Sequence, residues 1–242
     1  MNVSDLIPLL LLVLLTLAFT IGGAMVVLLI RNSKDRPVKS APAAPNSYIS
    51  SATFIRRPPC WLAIKSHNLG AVKSALGLQK VQPCSWSEGL CGEKRLFIAP
   101  PMKGWILVFG SGLPDTNDDI DACFRFLLNL SRKLGHVQFF SASQVLQHHA
   151  WVRAEKGRVI RAYAWAGKTL WTQGQQTRVE SAIGLKCLDY EENFESSFFG
   201  QSDGIQSNVD KVPLLAACWS VDPAEIQERF PEQAFGVAGE PS

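Results

Sequence analysis

The chain has 242 residues, 47% of them apolar, and a formal net charge of +3. That suffices for one domain of ordinary size with attachments. Residues 31–57 carry Arg31, Lys34, Arg36, Lys39, Arg56 and Arg57 against Asp35, a balance of +5, while residues 58–242 hold 18 Lys/Arg and 19 Asp/Glu, a balance of −1. Nucleic-acid binding asks for a basic face on the folded part, so no nucleic-acid partner is expected.

Leu6 to Ile30, "LIPLLLLVLLTLAFTIGGAMVVLLI", holds no charge in 25 residues. As a helix it would span ~37 Å, enough for a tilted crossing of a ~30 Å hydrocarbon core. A cleaved signal would want a basic segment before a shorter apolar run, and "MNVSD" has neither Lys nor Arg. A buried core helix of this length would carry a polar face. Residues 1–30 therefore read as a permanent transmembrane anchor, with the lipid bilayer as the first partner. Basic residues follow the run and none precedes it, which favours a cytoplasmic C-terminal part. Ala18, Gly22 and Gly23 are small enough for close helix approach, but an ordinary anchor explains them better. Residues 31–57 are rich in Pro, Ala, Ser and basic side chains and read as a flexible tether.

From Cys60 the predicted elements run strand ("CWLAIK"), short helix after Asn68, strand ("RLFIAP"), strand ("GWILVFG"), helix ("DIDACFRFLLNLSRKLG") and strand ("HVQFFS"). Asn117 and Asp118 are candidate caps for the long helix, and Gly135 is its stop. "HHAWVRAE" and "RVIRAYAW" flank Lys156–Gly157 and predict a hairpin. "KTLWTQG" adds a further strand. Thr177 to Glu180 is a capping-box pattern, and Asp222–Pro223 opens another helix. The order up to Ser141 is that of a ferredoxin-like split βαβ. The predicted fold is thus α+β: a transmembrane helix, then one domain over 58–230 with extra antiparallel strands. Residues 190–208 read as mobile, and 231–242 as a disordered tail.

The chemistry-bearing patterns are few. The cysteines at 60, 84, 91, 123, 187 and 218 form no CxxC pair, and a cytoplasmic location keeps them reduced. "GSGLPDTNDD" lacks the lysine of a phosphate loop and carries acids that repel phosphate. It also lacks the EF-hand spacing. No metal or cofactor is expected. His148 and His149 are adjacent, so on a strand they point to opposite faces and cannot share one ligand. His148 shares its face with Ala150, Val152 and Ala154. His149 shares its face with Trp151, Arg153 and Glu155, and this face reads as the more exposed one. A bulge near Gly157 would shift the partner strand by one, so the hairpin register stays open. Trp, Tyr and Arg are the residues binding hot spots favour, so His149, Trp151, Arg153, Arg161 and Trp165 form the candidate binding surface. A half-buried aromatic sheet face is the plainer reading of the same residues. General acid–base work by either histidine lacks a visible nucleophile or paired carboxylate.

"HHAWVRAEKGRVIRAYAWAGKTLWTQGQQTRVE", with "WSVDP" after it and "PCSWSEGL…FIAPPMKGWILVFGSGLPD" before it, resembles an uncharacterised bacterial membrane-anchored protein family of unknown function, over roughly residues 58–225. The resemblance implies one folded domain and no particular activity. The sequence thus predicts a single-pass membrane protein with a cytoplasmic domain that binds a protein or peptide. The alternative is a membrane-tethered hydrolase or transferase using His148 or His149.

Overall fold

The computed structural model describes residues 58–90, 96–190, 202–225 and 235–241. The expected membrane span and tether lie outside the described residues. Among the described residues no helix is long and apolar enough to cross a membrane.

Nine strands form one sheet: β1 (Cys60–Lys65), β2 (Leu78–Ser85), β3 (Leu96–Ile98), β4 (Trp105–Phe109), β5 (His136–Ser143), β6 (His148–Glu155), β7 (Arg158–Trp165), β8 (Thr169–Gln173) and β9 (Phe235–Pro241). Their spatial order is β2-β9-β3-β4-β1-β5-β6-β7-β8, and every pairing is antiparallel. The helices are α1 (Leu69–Ala75), α2 (Trp86–Leu90), α3 (Ile120–Leu134), α4 (Arg178–Ala182), α5 (Ser202–Gln206) and α6 (Asn208–Trp219). The class is α+β.

Strand alternation divides the core into two layers. Leu62, Ile64, Ile106, Val108, Val137, Phe139, Ala150 and Val152 face one way, where Val72 of α1 and Cys123, Leu127 and Leu130 of α3 cover them. Trp61, Ala63, Leu107, Phe109, Phe140, Trp151, Tyr163 and Trp165 face the other way, under Trp86 of α2, Ile205 of α5 and Val212, Leu215 and Ala216 of α6. Both faces are covered, so the central strands read as near-continuous apolar runs.

Local chemistry sets the joints. Asn68 caps α1 by accepting from the Ala71 N–H, and Thr177 and Glu180 form the reciprocal capping box of α4. The long helix α3 is capped by Asp119, not by Asn117 or Asp118: its carboxylate accepts from the Ala122 N–H at 2.8 Å. Lys156 and Gly157 both have positive φ, the two-residue geometry that matches strand twist. The β6–β7 bulge falls between Arg153 and Ala154, so Arg153 pairs with Arg161 and Ala154 with Val159.

Three expectations need correction. Residues 231–242 are not wholly a disordered tail, because Phe235–Pro241 is β9, inserted between β2 and β3. Glycine permits the insertion: a Cβ on Gly236 would collide with the Ile98 carbonyl oxygen. The domain therefore extends past residue 230. Within the stretch read as mobile, Ser202–Gln206 is helical and α6 begins at Asn208. Finally, β2 fills residues 78–85, between the predicted short helix and the strand "RLFIAP", where no element is predicted. Lys80 at positive φ, Pro83 and a register shift between Gln79 and Gln82 mark it as a protected edge strand.

Candidate functional site

Four of the five predicted surface residues are interior. His149, Trp151, Arg161 and Trp165 lie on the same sheet face, as alternation requires, but that face is the one beneath α4–α6. His149 is 1% exposed. Register places His149 opposite Trp165, and Trp151 opposite Tyr163. The His149 ring stacks on Trp165 (5.5 Å, 16°) and on Trp151 (5.7 Å, 11°). The exposed recognition surface is thus replaced by a buried aromatic strip. What the sequence hid is the helical layer that covers it. Only Arg153 is half-exposed, and it forks onto Glu155 at 2.6 and 2.8 Å. His148 is buried as well, so neither histidine has the exposure expected of His149.

Charge inside the strip is paired. The capping-box carboxylate of Glu180, fully buried, accepts from Arg161 Nε at 2.9 Å and from the Trp151 indole N–H at 2.6 Å. Its other oxygen accepts from the Thr177 N–H at 2.7 Å. The Arg161 guanidinium also donates to the carbonyls of Ala162, Gln173 and Gly174 and to Cys187 Sγ. Tyr163 Oη accepts from the Leu188 N–H. One buried ion pair therefore ties β6 and β7 to α4 and to the segment after it. A removed partner would leave an uncompensated interior charge. Sequence showed Glu180 as a cap; its long-range partners needed the fold.

His149 is held neutral. Asn208 donates to the Lys186 carbonyl and accepts from the Lys186 N–H, which fixes which end of its amide faces the ring. That end is Nδ2, 3.2 Å from His149 Nε2. Nε2 therefore accepts, and the ring proton sits on Nδ1, which is buried without a hydrogen-bond partner. Burial first, and His148 second, pull the imidazole pKa down to about 3. A ring in this state is a packed neutral aromatic rather than a proton shuttle.

Other titratable groups follow the same rule. Burial pushes the thiols of Cys60 and Cys187 up to about 11, and that of Cys123 to about 12, with Asp115 adding to the shift at Cys60 and Cys123. They stay thiols at neutral pH, which is the poor form for nucleophilic attack. Among the described residues no group of three His, Cys, Asp or Glu side chains is arranged to hold a metal ion. His136, which sequence did not single out, lies 3.6 Å from Glu155, contacts Gln138 Nε2 and meets Trp105 edge-on at 5.1 Å. Desolvation lowers its pKa despite Glu155.

The open space lies elsewhere. A cavity of about 500 Å³ sits between the β1 and β5 ends and α6, lined by Pro58, Pro59, Trp61, Ala142, Val209 and Pro213 with Ser143, Gln144 and Asp210. That volume is typical of ligand pockets. Six of these nine residues are apolar, but polar atoms make up the larger share of the exposed wall. Gln144 donates to Asp210 Oδ1 at 2.7 Å among its polar groups. Trp61, stacked on Phe140 at 5.3 Å, keeps its indole N–H without a hydrogen-bond partner. None of the predicted site residues lines this cavity, because its wall is assembled from three segments far apart in the chain. No protein-family model, no curated protein and no solved structure matches the chain.

Proposed function

We propose that this chain is a single-pass membrane protein whose C-terminal domain lies in the cytoplasm and binds a protein or peptide partner at the Pro58–Pro213 cavity. The observation that carries the binding site is that cavity, a recess of mixed polar and apolar wall with an acid and an amide among its lining residues. Its prolines, Trp61 and Val209 offer burial, and its polar groups fix orientation. The anchored, cytoplasmic reading is supported by the uncharged run Leu6–Ile30 and the basic residues after it. The hydrolase or transferase alternative draws no support from His149, enclosed between two indoles with Nε2 bound to Asn208. We further infer that β1, β3, β4 and β5, adjacent in the order β3-β4-β1-β5, form with α1 and α3 a split βαβ unit. On this reading β2 and β9 extend one side and β6–β8 the other.

The test uses a photo-crosslinking residue at Gln144 of the full chain in its native membrane, with and without Asp210→Arg. Asp210 is exposed, so the substitution should leave the melt unchanged. A crosslinked species that falls by roughly tenfold in the variant supports the site. A species indifferent to charge reversal there sinks it.

A further inference from the structure

The β5–β6 connection, Gln144–Gln147, carries Val145 and Leu146 at 93% and 68% exposure, the two most exposed large apolar side chains among the described residues. Single exposed apolar residues need no explanation, but these two are adjacent, at a tip, and braced there. Ser143 Oγ accepts from the Leu146 N–H at 3.2 Å, Gln147 Nε2 donates to the Gln144 carbonyl at 2.6 Å, and Gln144 is tied to Asp210 of α6. The braces hold the tip out from the cavity wall instead of letting it fold over. No Asp, Glu, Lys or Arg occurs from Leu134 to Val152, so Val145 and Leu146 can leave water without stripping an ion of their own segment of its hydration, while the Asp210 carboxylate stays bonded to Gln144 behind them.

The chain's own connectivity says what the tip meets. Ala142 N–H donates to the Pro59 carbonyl at 2.8 Å, and Cys60 pairs with Ser141. Residues 1–57 therefore join the domain at the same end of the sheet as the tip. Those residues hold the 25-residue apolar run and six basic side chains, which an anionic surface attracts. Residues 31–57 could stretch ~95 Å, so length alone would not hold the domain down, but the basic residues would. We propose that Val145 and Leu146 enter the headgroup boundary of the bilayer that anchors the chain, making this end of the domain its membrane-facing end. The inference rests on the anchored reading above.

The full-length protein is reconstituted in vesicles of phosphatidylcholine with a minority of phosphatidylglycerol, with a photo-crosslinking residue at Val145 or Leu146. Ile160, exposed near the opposite end of the β6–β7 hairpin, is the control. Lipid adducts at 145 and 146 should exceed those at 160 by roughly fivefold. The paired charges of Val145→Asp/Leu146→Asp should leave the melt intact and reduce lipid adducts from a probe at Gln144. Alkaline extraction runs alongside. If the chain stays in the membrane and the tip yields no excess of lipid adducts, this inference falls and the anchored reading stands. Adducts only to a protein or to a second copy overturn it likewise. If alkali strips the chain from the vesicles, both fall.

Discussion

His149 has no room for a second proton where it lies. A proton on Nε2 would face the Asn208 amide donor, and the charge would sit buried among indole rings. The folded pKa of about 3 lies below the ordinary 6.5, so between those values the unfolded chain binds more protons. This contribution to stability is complete above pH 6.5 and is lost as pH falls toward 3, by at most about 1.4 kcal/mol per pH unit. His149→Phe keeps the stack and removes the titration. Denaturant melts across this range should show a shallower acid slope for the variant. Equal slopes would mean the imidazole is not buried neutral. A second expectation concerns Arg161 and Glu180. Arg161→Met strands a carboxylate and should cost roughly 3–5 kcal/mol, whereas Arg161→Met with Glu180→Leu should lose less than the sum of the two single changes. Additive losses in a double-mutant cycle would count against a coupled pair. Alternation in the sequence put His149, Trp151, Arg161 and Trp165 on one face. It could not say that the face is covered, because the covering helices come from residues 178–219, where helix periodicity is weak and Pro213 sits inside α6.

The elements that sequence missed are the ones with the least local signal. β1 and α3 announce themselves by an apolar run and a capped amphipathic pattern. β2 does not, since five of its first six residues point to water and a proline interrupts it. β9, "FGVAGEP", has two glycines because Ile98 and Gln79 carbonyls lie where side chains would be. What reads as loose chain is a strand selected for close approach. The consequence is testable. A fragment ending at residue 230, the boundary composition suggests, leaves β2 detached and the β3 edge unpaired. Residues 58–242 should be soluble and melt cooperatively, while 58–230 should aggregate or lose its transition. Equal behaviour of the two fragments would remove β9 from the sheet.

At the scale of the whole molecule the argument turns on orientation. Translocation follows the basic residues close to the ends of an apolar span. Arg31, Lys34, Arg36 and Lys39 stand within ten residues after Ile30, and the five residues before Leu6 contain Asp5 and no Lys or Arg. By this bias the C-terminal domain should stay on the cytoplasmic side. A reporter active only in the cytoplasm should give signal when fused after Ser242, and one active only beyond the membrane should not. Replacing the four basic residues by Gln should raise the misoriented fraction, because the bias itself is then gone. Signal from the external reporter in the unaltered chain would overturn the topology. The membrane-facing tip would then meet the opposite leaflet, where the basic tether finds less negative charge to hold it.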